Sequence, residues 1–263
     1  MLPADPRTLG ATVTDGGTNF AIWSNAADAV ELCLFNEVNG KWVETRFALS
    51  HRNGPIWHGY LAGVRAGQRY GYRVYGPWIP EYGMRFNEAK LLLDPYAHVI
   101  DGDVVYSPEI YSHVADDALG NGDLTQKDSR DSAGKVPYSV VTDHTVRQIN
   151  RPLVPWAKTI VYEAHVKGLT AFNHEIPEHE RGSYKALGHP STIAHLKSIG
   201  VTALELLPIA QSITEPVIHS RGRKNHWGYN SLLFTAPHKE YASTADPIAE
   251  LQWSVDQLHA AGI

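Results

Sequence analysis

The stretch IVYEAHVKGLT, residues 160–170, sets a carboxylate, an imidazole and an amine at alternate positions: Glu163, His165 and Lys167. These side-chain types can perform general acid–base chemistry. They stand near the end of an apolar run suited to a strand, where polar groups also serve simply to hydrogen-bond neighbouring loops. Taken alone, the three read as structural. A second stretch, NHEIPEHE, offers His174 and His179. Pro177 interrupts any helix between them, and their spacing is not the i, i+4 of a zinc-binding helix. No metal site is expected there, and the remaining histidines are scattered. A third stretch, NHWGYN at 225–230, gathers His226, Trp227 and Tyr229. An isolated tyrosine in such a loop reads as packing.

The elements that must position these residues fall into two rhythms. From 10 to 106 the rhythm is that of strands: Phe20 and Ile22 alternate with polar or small neighbours, as do Val30, Leu32 and Leu34, then Tyr70, Tyr72 and Val74. Gly16-Gly17, Asn39-Gly40 and Asn53-Gly54 are turn signals between the runs. Short strands at this spacing predict an all-β sandwich, immunoglobulin-like in kind. Residues 107–157 lose the pattern and are expected to form a polar surface loop, with one further strand in PYSVVTD. A domain boundary is placed near 150, giving 1–150 and 151–263. Beyond it come a strand at TIVYEAHV, a helix at TIAHLKSIG, a strand at VTALELLPI and a helix over 247–261. Strand, helix, strand, helix implies parallel strands with right-handed crossovers, as in the opening of a (β/α)8 barrel. An open doubly wound sheet begins the same way.

The last helix carries Asp246 as N-cap, Pro247 at its first turn, an apolar stripe of Ile248, Leu251, Val255 and Leu258, and Gly262 as C-cap. QLHAAGI at 257–263 echoes HLKSIGV at 195–201. Val201 leads into a strand, so Ile263 is expected to begin another. The barrel is therefore read as incomplete, with its first two β/α units present.

Composition narrows the functional classes. The 263 residues are 43% hydrophobic and 19% charged, with a formal net charge of -5. No general basic surface exists for nucleic acid. The single cysteine, Cys33, precludes an internal disulfide and suits a reducing cytoplasm. Neither a signal-peptide core nor an uninterrupted apolar run of bilayer length is present, so no membrane partner is expected.

Several motifs agree in order. VYEAHVKGLT, GSYKALGHP, GVTALELLPI and NHWGYN follow IWHGYL, GYRVYGPW and RFNEAKLLLDPYA in the first half. Together they resemble the glycogen debranching enzymes of the isoamylase type, glycoside hydrolases of the α-amylase superfamily. The resemblance runs over nearly the whole chain and is weakest at 107–157. It implies a carbohydrate-binding sandwich ahead of a catalytic barrel, retaining cleavage of α-1,6 branch linkages in glycogen or limit dextrin, and no cofactor. It also implies that Tyr229 stacks on a sugar ring. Trp227 is kept as a second substrate-binding candidate, although it reads better as packing. The family more often has tyrosine where His226 stands. Trp57, Tyr60 and Trp78 could form a sugar platform in the sandwich but read better as packing.

The family's aspartate nucleophile, glutamate acid/base and second aspartate lie on later barrel strands, so no catalytic residue is assigned in this chain. It is expected to be the N-terminal portion of such an enzyme, inactive alone, with non-specific self-association through the incomplete barrel. The alternatives are a non-catalytic α-glucan-binding remnant and, less well supported by YEAHVKGLT, a branching transferase relative.

Overall fold

The computed structural model describes residues 1–143 and 148–263. The chain divides into two units, Met1–His144 with Glu215–Arg223, and Thr145–Thr214 with Lys224–Ile263.

In the first unit the strands run β1 (Gly10–Thr14), β2 (Gly17–Trp23), β3 (Ala29–Val38), β4 (Lys41–Ala48), β5 (His51–Asn53), β6 (Ile56–Ala62) and β7 (Arg69–Tyr75). The short pair β8 (Trp78–Ile79) and β9 (Met84–Arg85) follows, then β10 (Ile100–Asp101), β11 (His113–Ala115), β12 (Gly122–Lys127) and β13 (Tyr138–Val140). They build a four-stranded sheet, β1-β2-β6-β5, and a five-stranded one, β10-β13-β7-β3-β4, with every pairing antiparallel. Asn39 (φ 51°) and Gly40 (φ 73°) both occupy the left-handed region, the backbone that the tight β3–β4 hairpin requires.

The alternating residues meet where the period predicts. Phe20, Ile22 and Trp57 from one sheet pack on Val30, Leu32, Leu34, Tyr70, Tyr72 and Val74 from the other. Each fully buried side chain of this size contributes about 1.5–3 kcal/mol relative to exposure. Trp57 is core, its indole N–H donating to Ser24 O at 2.9 Å, and Trp78 donates to Thr125 O at 2.7 Å.

The expectation of a surface loop over 107–157 needs correction in part: β11 and β12 pair within it, whereas β13 lies in PYSVVTD, where a strand is expected. Residues 144–147 of that stretch lie outside the described residues. Part of it covers the outer face of the five-stranded sheet, where Cys33 and Phe35 pack with Leu91 and Tyr138. The covering is held by polar side chains, which is why it reads as surface. Lys90 donates to Glu109 O (2.7 Å), Arg130 O (2.8 Å) and Asp128 Oδ2 (3.2 Å). Arg73, 1% exposed, donates to both oxygens of Glu44 and to Asp131. Asn87 donates to Ser112 O and Asp128 O. Irregular backbone can be buried only when its carbonyls find donors, and these three residues supply them.

The second unit contains β14 (Val161–Ala164) and β15 (Ala203–Leu206), which pair in parallel. Between them lie α1 (Val166–Thr170), α2 (Tyr184–Leu187) and α3 (Pro190–Ser198). The chain continues through β16 (Ala210–Ser212), α4 (Pro216–Ser220), which belongs to the first unit, β17 (Ser231–Pro237) and α5 (Pro247–Ala260). Asp246 caps α5 by accepting from Ala249 N, Pro247 sits in its first turn, and Gly262 has φ 88°. The parallel pair and the two helices appear where the sequence places them. One detail differs. The strands are shorter than TIVYEAHV and VTALELLPI, and His165 caps α1 instead of extending β14. Tyr162, Leu204 and Leu206 pack into the core, while Glu163 and Glu205 stand in register on the exposed side. In α5 the buried residues are Glu250, Ser254 and Leu258; the rest of the apolar stripe is half-buried.

Candidate functional site

The histidine that follows β14 organises the second unit's loop. His165 is buried, and its Nδ1 accepts from the backbone N–H of Lys167 (3.1 Å) and Gly168 (3.2 Å). A ring nitrogen that accepts twice carries no proton, so the proton resides on Nε2. Nε2 lies 2.8 Å from His226 O and donates to it, with Tyr241 Oη 3.1 Å away. Burial holds the pKa of His165 below the ordinary histidine value; the bond to the His226 carbonyl opposes this, and the nearby His226 and Lys167 reinforce it. The residue is a neutral clamp.

The clamp acts on NHWGYN. The His226 ring stacks on His165 with centroids 4.4 Å apart and planes 15° apart, and Trp227 meets His226 edge-on at 5.0 Å. Asn225 closes the turn: its Oδ1 accepts from Gly228 N at 3.0 Å, and its Nδ2 donates to Ile213 O. Gly228 has φ 79°, and a Cβ there would lie 3.1 Å from Pro208 O, so the close turn favours glycine. The result is a braced loop that presents Trp227 at 55% exposure and Tyr229 at 70%. Tyr229 borders a cleft of about 760 Å³, together with Pro208, Ile209, Phe234 and Leu251.

Thus His165, His226 and Trp227 come together. Glu163 does not join them; it stands exposed beside Glu205. Sequence reasoning missed the supporting shell. Tyr241 meets His165 edge-on at 5.4 Å and Tyr184 at 6.0 Å, and Tyr184 Oη donates to His238 O. Glu250, buried, accepts from the backbone N–H of Lys185, Ser243 and Thr244. Burial alone would raise its pKa, but these bonds outweigh it and hold the carboxyl below its usual value. Tyr184 lies in GSYKALGHP, while Tyr241 and Glu250 sit in no motif; the roles of all three arise from tertiary contacts between distant segments. Among the described residues no cluster of metal-ligating side chains occurs, and no helix is long and apolar enough to cross a membrane.

Residues 8–97 match the family model of carbohydrate-binding module 48, the isoamylase N-terminal domain. Solved structures with the same fold include pullulanase from Anoxybacillus sp. LM18-11 complexed with maltotetraose, with TM-score 0.66 and 20% identity over 98% of this chain and 34% of that one. Pullulanase from Paenibacillus barengoltzii gives TM-score 0.67 and 22% identity over 99% of this chain and 37% of that one.

Over nearly its whole length the chain is similar in sequence to proteins named glycogen debranching enzyme. It is 49% identical over 261 residues to the glycogen debranching enzyme of Klebsiella pneumoniae subsp. pneumoniae, covering 98% of this chain and 38% of that protein. The corresponding enzyme of Salmonella typhi is 47% identical over 97% of this chain and 37% of that protein. The chain thus spans under two-fifths of the length of these relatives.

Proposed function

We propose that this chain handles branched α-glucan, glycogen or its limit dextrin, as part of a retaining α-1,6-glucosidase. The observation that carries this reading is the braced NHWGYN loop, within a chain 49% identical to a debranching enzyme over 98% of its length. Tyr229 lays an aromatic face against the apolar C–H face of a pyranose and keeps its hydroxyl for hydrogen bonding. Trp227 extends that surface, and His226 shapes its rim. His165 positions all three and touches no substrate.

In the same reading, residues 1–150 form the carbohydrate-binding domain and 151–263 the opening of a catalytic (β/α)8 barrel, and the protein is cytoplasmic. Exposed apolar side chains of the second unit, such as Phe234 at 85% and Ile160 at 51%, favour self-association.

Hydrolysis needs an acid to protonate the leaving oxygen and a carboxylate at the oxocarbenium-like centre. Glu163 and Glu205 are solvent-exposed neighbours, and neither has the apolar enclosure that prepares a carboxyl to act as the acid. This supports a second reading for the chain by itself: glucan binding without turnover. The test is reducing-end release from a branched limit dextrin by this chain and by a chimera extended with the remainder of a relative's barrel. The chimera should cleave, and Tyr229→Ala in it should impair cleavage. A chimera that cleaves equally well without the tyrosine ring contradicts the assignment of Tyr229.

A further inference from the structure

The strand β4 (Lys41–Ala48) ends the five-stranded sheet, and among the described residues no further strand pairs with its outer edge. Its register with β3 runs unbroken from Val38↔Lys41 to Glu31↔Ala48, and it contains neither proline nor glycine. Two devices that commonly guard a free edge, a bulge and a proline, are therefore absent from β4.

The hairpin fixes which groups that edge offers. Asn39-Gly40 is a two-residue turn, so the flanking Val38 and Lys41 form a hydrogen-bonded pair. Alternation then directs the N–H and C=O groups of Lys41, Val43, Thr45 and Phe47 toward β3. Leu49 N, which donates to Val30 O at 2.9 Å, continues that series. The N–H and C=O groups of Trp42, Glu44, Arg46 and Ala48 point outward, one donor and one acceptor each.

We propose that this edge is a homodimer interface: it pairs with the β4 edge of a second copy, antiparallel about a twofold axis at Thr45, and joins two five-stranded sheets into one. The interface is independent of glucan handling and of the apolar side chains of the second unit.

Charge selects both the partner and the register. Outward residues must pair with outward residues, so the axis falls at Glu44, at Thr45 or at Arg46; registers centred nearer either end pair fewer residues. An axis at Glu44 sets two carboxylates face to face, and an axis at Arg46 sets two guanidinium groups face to face. Only the axis at Thr45 places Glu44 opposite Arg46 of the second copy, twice by symmetry. The same register places Val43 opposite Phe47, also twice. Opposite charges and apolar pairs directly across an antiparallel ladder stabilise it, and like charges destabilise it.

The edge is prepared for this pairing. Glu44 is fixed in advance, accepting from Arg73 Nε at 2.6 Å and Nη2 at 2.9 Å, so it loses little freedom when a second arginine arrives. Val43 is 46% exposed, and Phe47 packs against the sandwich core. Pairing withdraws the valine from water against a ring that is already seated.

The experiment is sedimentation equilibrium of the whole chain over a concentration series, with unfolding midpoints near that of the parent establishing that the variants fold. The parent should form a dimer that dissociates on dilution. Thr45→Lys sets like charges on the axis and should raise the dissociation constant about tenfold or more. Phe234→Ser, an exposed position of the second unit, should leave the dimer intact. Thr45→Cys should yield a disulfide-linked dimer on mild oxidation, because residues on the axis form a non-hydrogen-bonded pair with Cα atoms about 4.5 Å apart. Lys41→Cys should not, since its two copies lie about 26 Å apart along the paired strands. Cys33 is 0% exposed and does not compete. The proposal is overturned if the parent stays monomeric throughout the series, if Thr45→Lys associates like the parent, or if Phe234→Ser abolishes association. It is also overturned if Thr45→Cys fails to cross-link or Lys41→Cys cross-links as readily.

Discussion

The polar groups of the first unit and those of the second are used in opposite ways. Beneath the covering of the five-stranded sheet, Lys90 and Arg73 are almost wholly buried, and each donates three or more hydrogen bonds that tie irregular segments to the sandwich. On the β14–β15 pair, Glu163 and Glu205 face solvent in register, and the nearby aromatic loop is held by the His165 imidazole and by Asn225. In both units these particular polar groups find partners. In the first, that satisfaction stabilises the fold through many redundant bonds; in the second it holds one exposed loop in one pose. The lesson is that polar sequence signals burial in one region and presentation in the other, and only the partner geometry separates them.

The variant that should break the comparison most forcefully is Lys90→Met. It leaves Asp128, 4% exposed, with Arg130 as its remaining cationic partner, and takes the lysine donor from the half-buried carbonyls of Glu109 and Arg130. Removing one member of a buried pair costs about 3–5 kcal/mol, so the urea midpoint of the first unit should fall sharply. A midpoint within experimental error of the parent would show that the covering is not held by this lysine.

His165→Ala comes next. It removes two cap acceptances and the bond to His226 O, at about 1 kcal/mol or somewhat more for each. The second unit should lose roughly 2–3 kcal/mol, and Trp227 fluorescence should shift toward that of solvated indole. His165→Asn should recover part of the capping but not the loop geometry. Unchanged Trp227 emission in both variants would contradict the clamp.

The two regions should also answer pH with opposite sign. Asp94 is buried, and desolvation pushes its carboxyl up to about 6 despite bonds from Tyr96 N and Tyr70 Oη. A folded pKa above the unfolded value gives stability that is complete below the unfolded pKa and is lost as pH rises to about 6. His165 is depressed, so its contribution is present above the ordinary histidine value and is lost as pH falls. The stability difference between parent and Asp94→Asn should therefore be larger at pH 4 than at pH 7, and that between parent and His165→Ala larger at pH 7 than at pH 5. Denaturant titrations at these pH values check both signs.

The smallest expected effect sharpens the contrast within the first unit. Lys127 pairs with Glu88 at the surface, with side chains 32% and 40% exposed. Solvent screening leaves such a pair worth about 0–1 kcal/mol, so Lys127→Met should barely move the midpoint that Lys90→Met displaces.

How much of this was legible in the sequence follows from the range of each signal. The hairpins at Asn39-Gly40 and Asn53-Gly54, the alternation that buries Phe20 and Ile22, and the capped helix from Pro247 are local, and local periodicity and turn chemistry reveal them. The cover over the outer sheet face was not legible, because Asp128, Arg130 and Asp131 look like any polar loop until Lys90 and Arg73 are placed beneath them. His165 stood out as a titratable residue near a strand end, yet its work depends on Tyr241 and His226, 76 and 61 positions away.

We propose that this chain holds α-glucan on aromatic surfaces and does not by itself break it. One measurement tests both halves: the chain is incubated with a branched limit dextrin, and bound dextrin and newly formed reducing ends are quantified in the same sample. The account predicts retained dextrin with no rise in reducing ends. Sustained release of reducing ends that survives repurification, or a chain that retains no dextrin, would contradict it.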